Sequence, residues 1–362
     1  MKLLKDELNK FLNSIEETDK KCLKQAEDRL NDLVKPIKSL GKLEDIAAKL
    51  ASITGNTNNS LDKRCIIIMA SDNGVCDEGV SSAPQTVTCM QTLNFTRGIT
   101  GVAVLAHHFN SDLIIVDVGI NAEINNKDVI NRKIRKSTGN IVKEQAMTYE
   151  EAIEAINTGI EMAQNAKKQG YDVIGVGEMG IGNTTTSSAV LSSLLNISIE
   201  DIAKVVDRGA GLTDDRFLHK IDIIKKAIKL HKPNPNDPID ILSKVGGFDI
   251  AAMTGTFIGA AHYKLPVVID GFISIVAALC AYRLNPLVKE YMFTSHHSHE
   301  RGYTLAMKEL RLEPSLNLDM CLGEGSGCPI MFAIMDAACS IINDMGTFED
   351  GQIGDEYLNN LS

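Results

Sequence analysis

The sequence predicts an α/β fold built on a parallel sheet flanked by helices. One observation carries this, and a second locates a candidate site within it. From residue 61 onward, short apolar runs alternate with longer segments of helical periodicity, the pattern of strands joined by helical crossovers. Four of the five strand-like runs also end in an acidic residue followed closely by glycine. In open α/β sheets the ligand crevice lies outside the carboxyl ends of the strands, so polar strand ends are candidates for a site.

The elements follow in order. Leu8, Phe11, Leu12 and Ile15 repeat at helical spacing, and a second helix runs through Ala26, Leu30, Leu33 and Val34 to be ended by Pro36. Gly41 precedes a third helical stretch, LEDIAAKLASI, and a polar linker covers residues 54–60. Five runs then read as buried strands: CIIIMAS from Cys65, DLIIVDV from Asp112, YDVIGVG from Tyr171, LPVVIDG from Leu265 and YMFTS from Tyr291. The stretch from Pro329 to Met345 reads as a helix. It can pack with the N-terminal helices, giving a small helical domain (1–53 with about 330–362) beside a catalytic domain (61–329).

With 362 residues, 44% of them hydrophobic, the chain can bury a large core. Its net charge of -10 and lack of a basic stripe argue against nucleic-acid binding. An anionic ligand would need a local positive site, such as a helix N-terminus or a single lysine. The N-terminus is charged and amphipathic without the apolar core of a signal peptide, and no apolar run is long enough to span a bilayer. The eight cysteines form no C-x-x-C pair and suit a reducing cytoplasm.

The strand ends are Asp72-Asn73-Gly74, Asp117-Val118-Gly119, Glu178-Met179-Gly180 and Asp270-Gly271, with Ser295-His296-His297 at the fifth. Asp and Gly are ordinary turn residues, but the repetition points to a shared acidic crevice. Gly175 to Gly180 matches G-x-G-x-x-G, and Glu200 lies ~20 residues on, as a dinucleotide fingerprint requires. A dinucleotide oxidoreductase is therefore one reading. Against it, Glu178 inside the loop would face a pyrophosphate of like charge. Asn183, Thr184, Thr185 and Thr186 continue the loop into a helix, offering N–H and hydroxyl donors to a single phosphate. Gly209-Ala210-Gly211 can complete the cradle, with Lys220 as a point charge, although a lone helix lysine is usually solvated.

Leu322-Gly323-Glu324-Gly325-Ser326-Gly327 sets one carboxylate among glycines before a helix. A carboxylate stripped of solvent in such a turn suits a general base, while the plain alternative is a helix-capping acid. His296, His297 and His299 have no partner at a recognised metal spacing. No loop of the kind that grips a diphosphoribose donor with magnesium is readable.

The motifs together resemble the nicotinate-nucleotide–dimethylbenzimidazole phosphoribosyltransferase family over nearly the whole chain. They include Lys35-Pro36 with 39–44 (SLGKLE), 72–88 (DNGVCDEGVSSAPQTVT), 116–119 (VDVG), 175–185 (GVGEMGIGNTT), 242–255 (LSKVGGFDIAAMTG), 266–274 (PVVIDGFIS) and 322–327 (LGEGSG). The resemblance implies a Rossmann-like large domain and a small helical one. It implies transfer of the phosphoribosyl group of nicotinate mononucleotide to an aromatic base in cobamide assembly, with neither metal nor cofactor. It also implies a dimer with the site near the subunit interface, either a homodimer or a heterodimer with a paralogue. Glu324 matches the general base and Glu178 the second acid. Gly177, Gly180, Asn183, Thr184, Gly209, Lys220, Asp270 and Ser295 fall around the nucleotide and its phosphate, and Ala83, Gln91, Met179 and Leu322 around the base pocket.

Three positions depart from the family pattern. Asn73 replaces a histidine, Lys38 a glycine, and Ala83 a tyrosine or serine beside the base pocket. They leave open a phenolic acceptor, such as phenol or p-cresol, in place of a benzimidazole. A non-catalytic partner subunit is a further alternative, against which both acids, Glu178 and Glu324, are present.

Overall fold

The structure is a computed structural model that describes residues 2–209 and 211–354. Ala210 of the proposed cradle and residues 355–362 of the expected terminal unit lie outside the described residues. Strands β1 (Arg64–Ser71), β2 (Asp112–Gly119), β3 (Val129–Asn131), β4 (Val173–Met179), β5 (Val267–Ile269) and β6 (Met292–Thr294) form one sheet. Its order is β3-β2-β1-β4-β5-β6, and every pairing is parallel. β1, β4 and β5 are buried almost throughout, as the continuous apolar runs require of strands covered on both faces. Five strands fall on the five expected runs. The sixth, β3, is a three-residue edge strand in which only Val129 is buried, too short to leave a pattern.

Helices α1 (Lys2–Leu12), α2 (Lys20–Asp32) and α3 (Lys42–Thr54) precede the sheet. α4 (Thr86–Thr96) and α5 (Gly101–His108) link β1 to β2, and α6 (Tyr149–Lys168) leads into β4. α7 (Asn183–Leu194), α8 (Asp214–His231), α9 (Pro238–Val245) and α10 (Phe248–His262) lie between β4 and β5. α11 (Phe272–Leu284) joins β5 to β6, and α12 (Arg301–Leu310) and α13 (Gly327–Asp344) follow. The second helix ends at Asp32, short of the Leu33–Val34 expected. Leu33 turns extended (ψ 148) and bridges Thr347 in the C-terminal segment.

The two ends of the chain meet there. Arg29 Nη2 donates to the Met345 carbonyl at 2.9 Å, and Asn343 Nδ2 to the Asn59 carbonyl at 2.8 Å. α13 has 18 residues and is apolar enough to cross a membrane by composition, but Met331, Phe332, Met335 and Ala338 place it in the core. That core runs without a break from Leu8 to Ile342, so the terminal helices and the sheet share it. In the 35–44 segment, Lys35 and Glu44 form a buried ion pair at 2.9 Å, and Glu44 also accepts the Leu40 N–H. Lys38 between them has φ +56, a left-handed conformation that glycine adopts without strain.

α6 and α10 pack backbone against backbone. A Cβ on Gly159 would overlap the Ala252 carbonyl, and one on Gly255 would overlap the Ile156 carbonyl. This seam fixes α10, whose first turn carries Asp249 behind the site described below. Gly255→Val should force the two helices apart and cost about 3 kcal/mol, as overpacking does at its upper end. The check is the urea midpoint; an unchanged midpoint would contradict the seam.

Candidate active site

The sheet order reverses between β1 and β4, and a cavity of about 220 Å³ opens beside this point, at the carboxyl ends of β4 and β5. β4 contributes Glu178 and Met179, and Asp270 follows β5. α7 contributes Asn183 and Thr184, and the segment 321–324 forms the opposite wall. α7, α11 and α12 all begin at this cavity. Their N-cap residues Gly182, Gly271 and Glu300 make no side-chain cap bond, but the first N–H of α7 donates to the Gly180 carbonyl and that of α12 to Asp207 Oδ2, so what these helices offer an anion inside is chiefly the positive end of their dipoles.

Glu324 stands in a loop held by two acids. Asp270 Oδ2 accepts the Gly325 N–H at 3.0 Å, and Oδ1 accepts the Gly327 N–H at 2.7 Å. Glu178 Oε1 accepts the Glu324 N–H at 3.3 Å. Glu324 itself has φ +65, a strained conformation for a residue with a Cβ, which these bonds maintain. The loop lies directly on β4, where a Cβ on Gly177 would overlap the Glu324 carbonyl. Gln91 Nε2 on α4 donates to Glu324 Oε1 at 2.6 Å, while Oε2 is buried without a hydrogen-bond partner. One oxygen is thus fixed and the other retains lone pairs for an incoming proton.

Burial dominates the electrostatics. It pushes the Glu178 carboxyl up to about 7, against hydrogen bonds from Asn183 and the Glu324 backbone. It pushes Asp270 up to about 8 and Asp249 to about 7. Asn183 Nδ2 donates to both Glu178 and Asp249. Lys220 is not the solvated helix lysine that its spacing suggests. It is fully buried, donates to Thr184 Oγ1 at 2.9 Å and to the Asp207 carbonyl at 3.0 Å, and is pushed down by burial to about 8. Gly209 (φ +56) packs against both Thr184 and Lys220.

Of the residues singled out in the sequence, Glu178, Met179, Gly180, Asn183, Thr184, Gly209, Asp270, Leu322 and Glu324 all line the cavity. Lys220 and Gln91 reach it through Thr184 and Glu324. Ser295 is fully buried behind it, its hydroxyl donating to the Asp270 carbonyl at 3.0 Å. Ala83 is half-buried in the turn before α4, its N–H donating to Ser81 Oγ.

Two expectations need correction. The acidic crevice is formed by two strand ends, not four. Asp117 pairs with Lys133 at 3.0 Å and caps its own turn, and Asp72 accepts the Asn121 N–H at 2.7 Å. The glycines of G-x-G-x-x-G serve chain packing. A Cβ on Gly175 would lie 2.5 Å from Cys328 Cβ, and one on Gly180 2.5 Å from the Ser71 carbonyl. Glu200 is exposed beyond the C-terminus of α7, at the end away from the cavity. The three histidines do not converge. His296 is buried 3.9 Å from Asp270 and pushed down to about 4 by burial, His297 packs on the Tyr303 ring, and His299 faces Asp319. Asn73 is buried and joins Ile181 and Thr186. Sequence reasoning missed Asp249, which lies in the 242–255 motif without being singled out, and Glu300, which lies in none. Glu300 lines the cavity near Lys220, with Oε2 buried and unpartnered.

Residues 15–353 match a family described as Phosphoribosyltransferase. The nicotinate-nucleotide–dimethylbenzimidazole phosphoribosyltransferase of Clostridium perfringens strain 13 is 56% identical over 354 residues, 98% of this chain and 97% of that one. The protein of the same name from Ruminiclostridium cellulolyticum is 52% identical over 342 residues, 94% of this chain and 96% of its own. The crystal structure of the Thermus thermophilus enzyme superposes with a TM-score of 0.86 at 32% identity, covering 93% of this chain and 99% of that one.

A carboxyl raised from 4.5 to about 7 holds its proton longer in the folded than in the unfolded chain. Its stabilising share is complete at low pH and is lost as pH rises through that window. Glu178→Gln should therefore narrow the fall in stability between pH 5 and pH 8, read as the difference in urea midpoints. A fall as large as in the unsubstituted protein would contradict the burial argument.

Proposed function

The chain belongs to the nicotinate-nucleotide–dimethylbenzimidazole phosphoribosyltransferase family, and from that premise we propose how its site works. The reaction moves the 5-phosphoribosyl group of nicotinate mononucleotide to 5,6-dimethylbenzimidazole, in assembly of the cobamide lower ligand. The observation that carries the mechanism is Glu324, with one oxygen fixed by Gln91 and the other buried and unpartnered.

The phosphate sits at the N-terminus of α7 and the 207–209 loop, with buried Lys220 and Thr184 beneath it. The leaving group is a pyridinium, which departs as nicotinate, its ring nitrogen made neutral when the C1′–N bond pair returns to it. The benzimidazole nitrogen attacks C1′ from the opposite face, giving inversion from β to α. Glu324 Oε2 takes the N–H proton. Positive charge builds on the ribose as the bond breaks, and the buried carboxylate of Glu178 stabilises it. Burial makes an unaccompanied anion costly at this site, and a cationic pyridinium or oxocarbenium offsets that cost.

Names of relatives 56% and 52% identical to this chain support a benzimidazole over a phenol as acceptor. A homodimer is the assembly we favour. Ile99 and Val104 are exposed on and beside α5, and a Cβ on Gly101 between them would lie 2.5 Å from Leu322 Cδ2 at the cavity wall. An apolar rim beside the site suits a subunit contact. A cytoplasmic location fits the eight free thiols.

An end-point assay tests the reading. Nicotinate mononucleotide is incubated with 5,6-dimethylbenzimidazole, benzimidazole, adenine, phenol or p-cresol, and α-ribotides are sought by mass. Product with the benzimidazoles is expected; product with the phenols alone would reassign the acceptor. Glu324→Gln should lower kcat at least ~100-fold, the usual scale for a general base, while nicotinate mononucleotide still binds. Unchanged turnover would remove Glu324 from its role. Lys220→Met should weaken nucleotide binding in a calorimetric titration, and equal affinity would place the phosphate elsewhere.

A further inference from the structure

Asp249 lies in the first turn of α10, fully buried and outside the cavity wall. Its Oδ1 accepts the Ile250 N–H at 3.0 Å, and its Oδ2 accepts Asn183 Nδ2 at 3.0 Å. The same Nδ2 donates to Glu178 Oε2. An amide NH2 has two donors, and here both are directed at carboxylates. The opposite orientation would set the amide carbonyl against two acceptor oxygens. The two acids therefore decide which way the amide faces. Asp249 cannot drift from this place: a Cβ on Gly180 would lie 2.8 Å from its Oδ2, and one on Gly247 would overlap its Oδ1.

Asn183 also lines the cavity. With Nδ2 turned toward the acids, Oδ1 is the end of the amide left to meet a ligand, and a carbonyl oxygen only accepts hydrogen bonds. The donors on nicotinate mononucleotide are few. Its phosphate and carboxylate are acceptors, and its ring nitrogen is bonded to C1′ and carries no hydrogen. The ribose hydroxyls remain. The N–H of the incoming base is the proton that Glu324 removes.

We propose that Asn183 Oδ1 accepts a hydrogen bond from a ribose hydroxyl of the bound nucleotide, and that Asp249 is the positioning residue that holds the amide in this orientation. The inference rests on the transferase reading above. It gives Asn183 a different task from the one its place in the 183–186 run suggests, since its side-chain donors are not available to a phosphate. It also ties the depth of the ribose to Glu178, because the same amide touches that acid.

The test compares kcat/KM for nicotinate mononucleotide with that for its 2′-deoxy and 3′-deoxy analogues, using the whole protein and dimethylbenzimidazole. The unsubstituted enzyme should prefer the ribonucleotide over one of the analogues by ~10-fold or more, the scale of a buried acceptor left unpaired. Asp249→Asn, nearly isosteric, frees the amide to turn, and Asn183→Ala removes the acceptor. Each should shrink the preference to within about threefold, an effect on selectivity that a general loss of structure would not produce. Should Asp249→Asn fail to fold by circular dichroism, Asn183→Ala carries the test. A preference kept intact in the folded variants, or absent from the unsubstituted enzyme, would overturn the proposal. No turnover of nicotinate mononucleotide itself would instead overturn the transferase reading on which it rests.

Discussion

Asp270 at the end of β5 accepts the N–H groups of Gly325 and Gly327, and Glu178 at the end of β4 accepts that of Glu324. The arrangement of the site depends on this clamp. Two neighbouring parallel strands present one carboxylate each at the same level, and a single glycine-rich loop is fastened across them. Because Gly327 opens α13, Asp270 also caps that helix by accepting its first N–H. The loop can approach so closely because Gly177 and Gly323 have no side chains at the points of contact. Glu324 is thereby held with φ positive, one oxygen on Gln91 and the other open to chemistry.

The clamp has an electrostatic cost that the function makes use of. Glu178, Asp249 and Asp270 are buried, and burial raises all three well above ordinary carboxyl values. Such a cluster is poorly suited to an empty, ionised state, and a ligand that brings positive charge improves it. In the proposed mechanism the phosphate of the same ligand goes to the N-terminus of α7, where buried Lys220 donates to Thr184 and opposes the charge of nearby Glu300. Bound in that way, the pyridinium would face the acids and the phosphate Lys220.

Much of this is legible in the sequence because strands buried on both faces leave apolar runs, and Asp-Gly or Glu-x-Gly ends mark where they stop. The loop carrying Glu324 and the helix start at Asn183 are visible for the same reason: glycine and small polar residues cluster where backbone must approach backbone. β3 is not legible, since three residues on an edge make no pattern. Asp249 escapes notice because nothing in GGFDIAAMTG indicates that its carboxylate faces a residue 66 positions earlier. The four strand-end acids look equivalent in sequence, and only the positions of Lys133 and the Asn121 N–H separate Asp117 and Asp72 from the two that reach the cavity. The glycine fingerprint misleads by the same limitation. Spacing records that side chains are excluded, not whether a pyrophosphate or another segment of the chain excludes them.

The central claim is that Asp270 acts on catalysis through the loop that holds Glu324. A double-mutant cycle on kcat tests it most directly, comparing Asp270→Asn, Glu324→Gln and the pair with nicotinate mononucleotide and dimethylbenzimidazole at saturation. The account predicts that each single change lowers kcat and that the double variant is no slower than Glu324→Gln alone. Losses that multiply in the double variant would mean that Asp270 contributes by a separate route, and the clamp would not be the basis of the site.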